Sequence, residues 1–205
     1  MVTYEQLLDR DPGWALWEGS MHFENDSAVH KTLRKIASRL DELGVRYAIA
    51  GAMALFVHGY RRFTEDVDIL VTREDLARVH QELEGLGYVP PFPGSKNLRD
   101  ADSKVRIEFL VSGDFPGDGK PKPVAFPSPQ EVSTNIGGVS FLKLTTLVEL
   151  KLASGMTNPR RAKDLVDVQE LIAAINLPLA FAEQLHPFVQ EKFRELWRVV
   201  ADNPE

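Results

Sequence analysis

The six residues Asp66–Val71, DVDILV, place the hardest constraint on this chain. Val67, Ile69, Leu70 and Val71 make the run apolar enough for a buried strand, yet it carries Asp66 and Asp68, with Glu65 just before them. Along a strand, residues two apart point to the same side, so Asp66 and Asp68 face one way. Ionised carboxylates held this close repel each other, and a neighbouring core raises the cost further unless a positive charge compensates. A divalent cation with oxygen ligands resolves the conflict, and Mg²⁺ is the usual ion where carboxylates meet phosphates.

The rest of the pattern fits such a strand into an α/β frame. Val29, Leu33, Ile36 and Leu40 recur at helical spacing, with Asp26 or Ser27 as cap and Gly44 as stop. VRYAIAG reads as a short strand, and a helix opens at Gly51. After DVDILV, a helix capped by Thr72 is expected to carry the stripe Leu76, Val79, Leu83 and Leu86 and to end at Gly87. KVRIEFLV is a third strand. Residues 112–130 are rich in Gly and Pro and read as a loop. A small hairpin is expected around Gly137 and Gly138. From Thr145 the chain reads as helices: TTLVELKLASG, then a helix with Asn158 as cap and Pro159 at its first position, then an amphipathic helix over 179–200. Residues 1–26 show no clear period and read as a loop or short helices on the surface. The expected division is a core of mixed sheet and flanking helices with an N-terminal extension over 1–130, and a C-terminal helical region over 131–205.

Composition narrows the function classes. A net charge of −6 gives no global basic field for nucleic acid, which leaves only a local patch for that purpose. The absence of cysteine excludes disulfides and thiolate metal sites. The five histidines lack zinc-like spacing, and no G-x-S-x-G is present. GDFPGDGKP imitates a phosphate-binding loop, but its spacing fails and Pro121 forbids the helix that should follow. The N-terminus has neither a basic nor an apolar signal-peptide region, and the longest apolar run is too short to span a bilayer. The expectation is a cytoplasmic protein with no membrane partner.

Glu108, alone in the apolar run VRIEFLV, can complete an acidic triad if its strand neighbours that of Asp66 and Asp68. Three carboxylates suit a two-ion site for phosphoryl transfer. Gly51, between a strand and a helix, leaves the backbone N–H groups of Gly51 and Ala52 open to a phosphate. By itself a D-x-D at a strand start is as readily a solvated turn. The wider stretch IAGAMALFVHGYRRFTEDVDILV, however, resembles the signature of the nucleotidyltransferase superfamily. More narrowly, RFTEDVDILV resembles the pattern of toxin-type nucleotidyltransferases of the AbiEii and MenT kind.

The resemblance covers roughly residues 30–173 and implies a nucleotidyltransferase-like mixed β-sheet with flanking helices. It implies Asp66, Asp68 and Glu108 as catalytic metal ligands. It implies Gly51, Ala52, Arg62, Thr64 and Lys151 as nucleotide-binding residues, with Lys151 and Asp164 among the catalytic set and Asp167 about one turn beyond. Two departures stand out: Ala52 replaces the hydroxyl-bearing or second glycine residue of the pattern, and the third acid is Glu rather than Asp. Read from their own neighbourhoods alone, Lys151 beside Leu147, Leu150 and Leu152 could reach solvent along its stem, and Asp164 suits a helix N-terminus.

The implied activity is transfer of an NMP from an NTP to an acceptor hydroxyl. For relatives of the toxin type that acceptor is a tRNA 3′ end, with a cognate antitoxin as partner. Arg160, Arg161 and Lys163 form the densest basic cluster available to RNA. Two alternatives stand beside this reading: the same chemistry on a small molecule or a protein hydroxyl, and a degenerate nucleotide-binding module without catalysis.

Overall fold

The computed structural model describes residues 2–203. Two short helices, α1 (Tyr4–Arg10) and α2 (Pro12–Phe23), precede α3 (Ala28–Glu42). Then follow β1 (Tyr47–Ile49), α4 (Gly51–Val57), β2 (Asp66–Val71) and α5 (Arg73–Leu83). Three strands come next: β3 (Tyr88–Val89), β4 (Leu98–Asp100) and β5 (Arg106–Val111). A loop leads to the one-turn α6 (Pro129–Val132) and the hairpin β6 (Ser133–Ile136) and β7 (Val139–Leu142). The chain ends in α7 (Leu144–Thr157), α8 (Ala162–Ile175) and α9 (Pro187–Asp202).

Among the described residues, the seven strands belong to one mixed sheet, in the order β3-β4-β5-β2-β1-β7-β6. The acid-bearing strand β2 lies at its centre, antiparallel to β1 and parallel to β5. Its alternation sorts the two faces: Val67, Ile69 and Val71 turn into the core, while Asp66 and Asp68 turn to the other side. β5 repeats this, with Ile107, Phe109 and Val111 buried and Arg106 and Glu108 opposite. His80 of α5 lies against Phe109, so α5 covers the face away from Glu108. The helix α3 also packs against β2, through Val29, Leu33, Ile36 and Leu40, all buried. Each such side chain removed from water contributes about 1.5–3 kcal/mol, which explains why a short central strand can hold two carboxylates at its start.

The N-terminal segment is more deeply built in than expected from its sequence. Tyr4, Glu18 and His22 are buried. The Tyr4 hydroxyl donates to Glu18 Oε2 at 2.8 Å, and the same oxygen accepts from the Ala28 N–H at 3.0 Å, which closes the start of α3. Arg99 of β4 grips Glu5 with two bonds of 3.0 Å and ties α1 to the sheet.

Four expectations about the elements change. Helix α5 stops at Leu83, so Leu86 falls in the turn after it and is 69% exposed rather than part of the stripe. The strands β3 and β4 are two and three residues long, too short to show a period, and the sequence pattern predicts neither. The last segment divides: Leu179–Gln184 is a 3₁₀ turn, and α9 starts at Pro187 behind the cap of His186. Similarly, Asn158 caps the 3₁₀ turn Pro159–Arg161 before α8 begins. Among the described residues, no helix is long and apolar enough to cross a membrane.

Candidate active site

Parallel pairing in register sets Glu108 beside Asp68, and Arg106 beside Asp66. One oxygen from each of Asp66, Asp68 and Glu108 lies within 4.8 Å of the others. The three acids that the sequence singled out therefore meet. They line a cleft of about 510 Å³ together with Gly51, Ala52, Arg62, Thr64, Lys151 and Asp164, so the whole predicted set is gathered in one place.

Gly51 is required by geometry. Its φ is +57°, and a Cβ there would stand 1.8 Å from Asp68 Oδ2. The chain turns from β1 into α4 directly against the Asp68 carboxylate, with the Ala50 N–H bonded to the Asp68 carbonyl at 2.8 Å. No side chain caps α4, so its first N–H groups open on the cleft.

Charge is unevenly compensated here. Arg106 Nη2 is 3.1 Å from Asp66 Oδ2 and 3.0 Å from Glu108 Oε1. Thr64 is buried and its hydroxyl donates to Asp66 Oδ1 at 2.6 Å. Among the described residues, the Asp68 carboxylate has no hydrogen bond or ion pair. Burial, then the charges of Asp66 and Glu108, push its pKa up to about 7, against the opposing pull of Lys151 and Arg161. A triad of hard oxygen ligands with one unpartnered member fits a divalent cation.

Next to the acids is a second charged cluster. Lys151, 7% exposed, is buried in α7 rather than reaching for solvent along its stem. Its Nζ donates to Asp164 Oδ1 at 3.0 Å and to Asp167 Oδ2 at 2.6 Å. Arg62 reaches Asp167 with both fork arms, Nε at 2.7 Å and Nη2 at 2.9 Å. Ser154 donates to Asp164 Oδ2 at 2.6 Å. Burial alone would raise the pKa of Asp167, but the Arg62 hydrogen bond and the Lys151 charge outweigh it and hold it below the usual carboxylate range.

Two residues central to these clusters carry no role in the sequence reading. Arg106 precedes Glu108 by two on one strand face, a signal that strand periodicity contains. Asp167 joins Arg62 and Lys151, partners 105 and 16 residues away, which spacing does not reveal.

No protein-family model matches the chain, and neither does any curated protein. Among solved structures, the chain is similar to ANT(2″)-Ia in complex with adenylyl-2″-tobramycin, with TM-score 0.52, 14% identity, and coverage of 83% of this chain and 97% of that one. It is also similar to the solution structure of ANT(2″)-Ia (TM-score 0.49, 14% identity, 82% of this chain and 90% of that one). A third likeness is to an antigenic nucleotidyltransferase-like protein from Paracoccidioides brasiliensis (TM-score 0.46, 15% identity, 85% and 88%). The mixed seven-stranded sheet with its flanking and C-terminal helices is a nucleotidyltransferase fold.

Proposed function

We propose that this protein is a Mg²⁺-dependent nucleotidyltransferase that moves an NMP from an NTP to an acceptor hydroxyl. The observation that carries the reading is the meeting of Asp66, Asp68 and Glu108 within 4.8 Å, directly at the Gly51 turn. Mg²⁺ held by these acids would lower the pKa of the acceptor hydroxyl and neutralise charge on the leaving pyrophosphate. The chain's own groups supply the rest. The acceptor oxygen bonds to the α-phosphorus as the bond to the pyrophosphate oxygen breaks. Glu108 takes the hydroxyl proton on Oε2, the oxygen not bonded to Arg106. The open N–H groups of Gly51 and Ala52 hold triphosphate oxygens, and Lys151 neutralises phosphate charge from its fixed place on Asp164 and Asp167. Arg62 and Thr64 line the same cleft, where they position Asp167 and Asp66 and extend the donor surface toward phosphate.

For the acceptor, the favoured reading is a tRNA 3′ end, with the protein acting as a toxin beside a cognate antitoxin, as its resemblance to the AbiEii and MenT kind implies. The exposed Arg160, Arg161 and Lys163 on the rim of the cleft support it, because a chain of net charge −6 needs its basic groups concentrated where a phosphate backbone enters. A small-molecule acceptor is the second reading. It is favoured by the likeness to ANT(2″)-Ia, whose structure contains adenylyl-2″-tobramycin. The test is incubation with each labelled NTP and Mg²⁺, offering total RNA, total protein and a small-molecule pool side by side. Label in tRNA that weakens steeply between dilute and physiological salt supports the first reading. Label in small molecules supports the second, and no label in any fraction sinks the catalytic reading.

A further inference from the structure

We infer that Arg106 stands in the acid cluster as a second, built-in cation, so that Asp66, Asp68 and Glu108 take one divalent ion rather than two. The inference deepens the proposed function and rests on it. It departs from the two-ion site that three carboxylates suggest by themselves.

Two-metal sites hold their ions about 3.5–4 Å apart, bridged by shared carboxylates. In this cluster the place between Asp66 Oδ2 and Glu108 Oε1 is taken by Arg106 Nη2, at 3.1 and 3.0 Å. One positively charged nitrogen thus serves both acids through charge-assisted hydrogen bonds, where a shared metal ion would otherwise sit. The backbone enforces the placement. Parallel register sets Arg106 next to Asp66, and strand alternation sets it on the same face as Glu108. The Nε of Arg106 is buried in the wall of the cleft, while the side chain as a whole is 38% exposed.

Charge leads to the same count. Three carboxylates are matched by one divalent ion and one guanidinium, whereas two ions and the guanidinium exceed them. An arginine cannot relieve the excess by losing its proton. The open position left to an ion is the one at Asp68, whose carboxylate is the unpartnered member of the three, with Asp66 Oδ1 beside it on the same strand face. Arg106 thus acts through Asp66 and Glu108 as a positioning residue. It fixes their oxygens and leaves Glu108 Oε2 free of the guanidinium.

The test is a count of bound Mn²⁺ by electron paramagnetic resonance, with the metal alone and no nucleotide. It compares the unaltered protein with Arg106→Gln and Arg106→Lys, each first shown to unfold cooperatively near the unaltered midpoint. One ion in the unaltered protein, two in Arg106→Gln and one again in Arg106→Lys is the expected result, since lysine restores charge without the fork. Two ions in the unaltered protein, or still one in Arg106→Gln, overturns the role of Arg106 and leaves the proposed function standing. No bound Mn²⁺ in any of the three proteins overturns the metal site itself and the proposed function with it.

Discussion

The acids on β2 and β5 and the acids on α8 lie beside one cleft, yet the same residue type titrates in opposite directions in the two places. Asp68 is pushed up to about 7 by burial and by Asp66 and Glu108, while Asp167 is held low by Arg62 and Lys151. Burial acts on both, so burial does not decide the outcome; the partners do. On the strands, Asp66 and Glu108 share one guanidinium and Asp68 pairs with none among the described residues. On the helices, Asp164 and Asp167 share Lys151, Arg62 and the Ser154 hydroxyl, and the charges cancel. A cluster left short of positive charge at the mouth of a cleft is suited to take a cation. A cluster already closed on itself is suited to hold its members still. The second cluster thereby fixes Lys151 next to the first, and it joins α7 and α8 to the loop that leads into β2.

If that division is right, removing one acid from each cluster should break different things. Asp68→Asn should reduce nucleotide transfer by roughly a thousandfold, because a metal ligand supports several kcal/mol of transition-state stabilisation. Its far-ultraviolet circular dichroism should stay unchanged. Asp167→Asn should do the reverse. It leaves Arg62 and Lys151 facing a neutral partner at a position 1% exposed, and breaking a buried pair from one side costs about 3 kcal/mol. That loss is read from the denaturant midpoint. Equal stability losses for the two variants would erase the distinction between the clusters.

Lys151 belongs to both regions, and its variant sharpens the comparison. Lys151→Met retains apolar bulk in α7 but removes the charge shared by Asp164 and Asp167. A charge-assisted phosphate contact contributes about 1.5–3 kcal/mol, so NTP affinity should fall roughly ten- to hundredfold. Equilibrium binding of an NTP checks this. Unchanged affinity would confine Lys151 to the structural cluster.

Why one cluster was legible in the sequence and the other only in part follows from range. Asp66, Asp68 and Glu108 sit on strands whose alternation is local, and Gly51 marks the turn that must pass close to them. Their meeting required one assumption, that the two strands are neighbours, and the in-register pairing of Asp68 with Glu108 supplies it. Lys151 and Asp164 entered through resemblance, since neither stands out from its own helix. Asp167 entered the same way, one turn beyond Asp164, but its role could not, because its meaning lies in Arg62, which arrives from another part of the chain. Arg106 was within reach of the same period-two argument that found Glu108, but a basic residue at a strand start reads as a solvated end until its carboxylate partners are placed. The strands β3 and β4 fail for lack of length: β3 has two residues, and two residues have no period.

The smallest expected effect tests the imbalance itself, in metal-free protein kept so by chelation. The folded pKa of Asp68, about 7, lies above the value of about 3.9 for an unfolded aspartate. Between those limits the folded state holds a proton that the unfolded state has released, so stability falls as pH rises from about 4 to about 7. Below that window both states are protonated and Asp68 makes no difference; above it the loss is complete. Asparagine never ionises, so Asp68→Asn should match the unaltered protein near pH 4 and exceed it at pH 8. A shift of about three pKa units sets a ceiling of about 4 kcal/mol, and solvent screening in an open cleft reduces this to about 1–2 kcal/mol. The check is a pair of denaturant curves at each pH. A variant no more stable than the unaltered protein at pH 8 would mean that the three acids are already compensated in the metal-free state, and the contrast with the α8 cluster would collapse. Saturating Mg²⁺ should reverse the order, because the ion binds the folded unaltered protein and stabilises it by mass action, whereas the variant has lost a ligand.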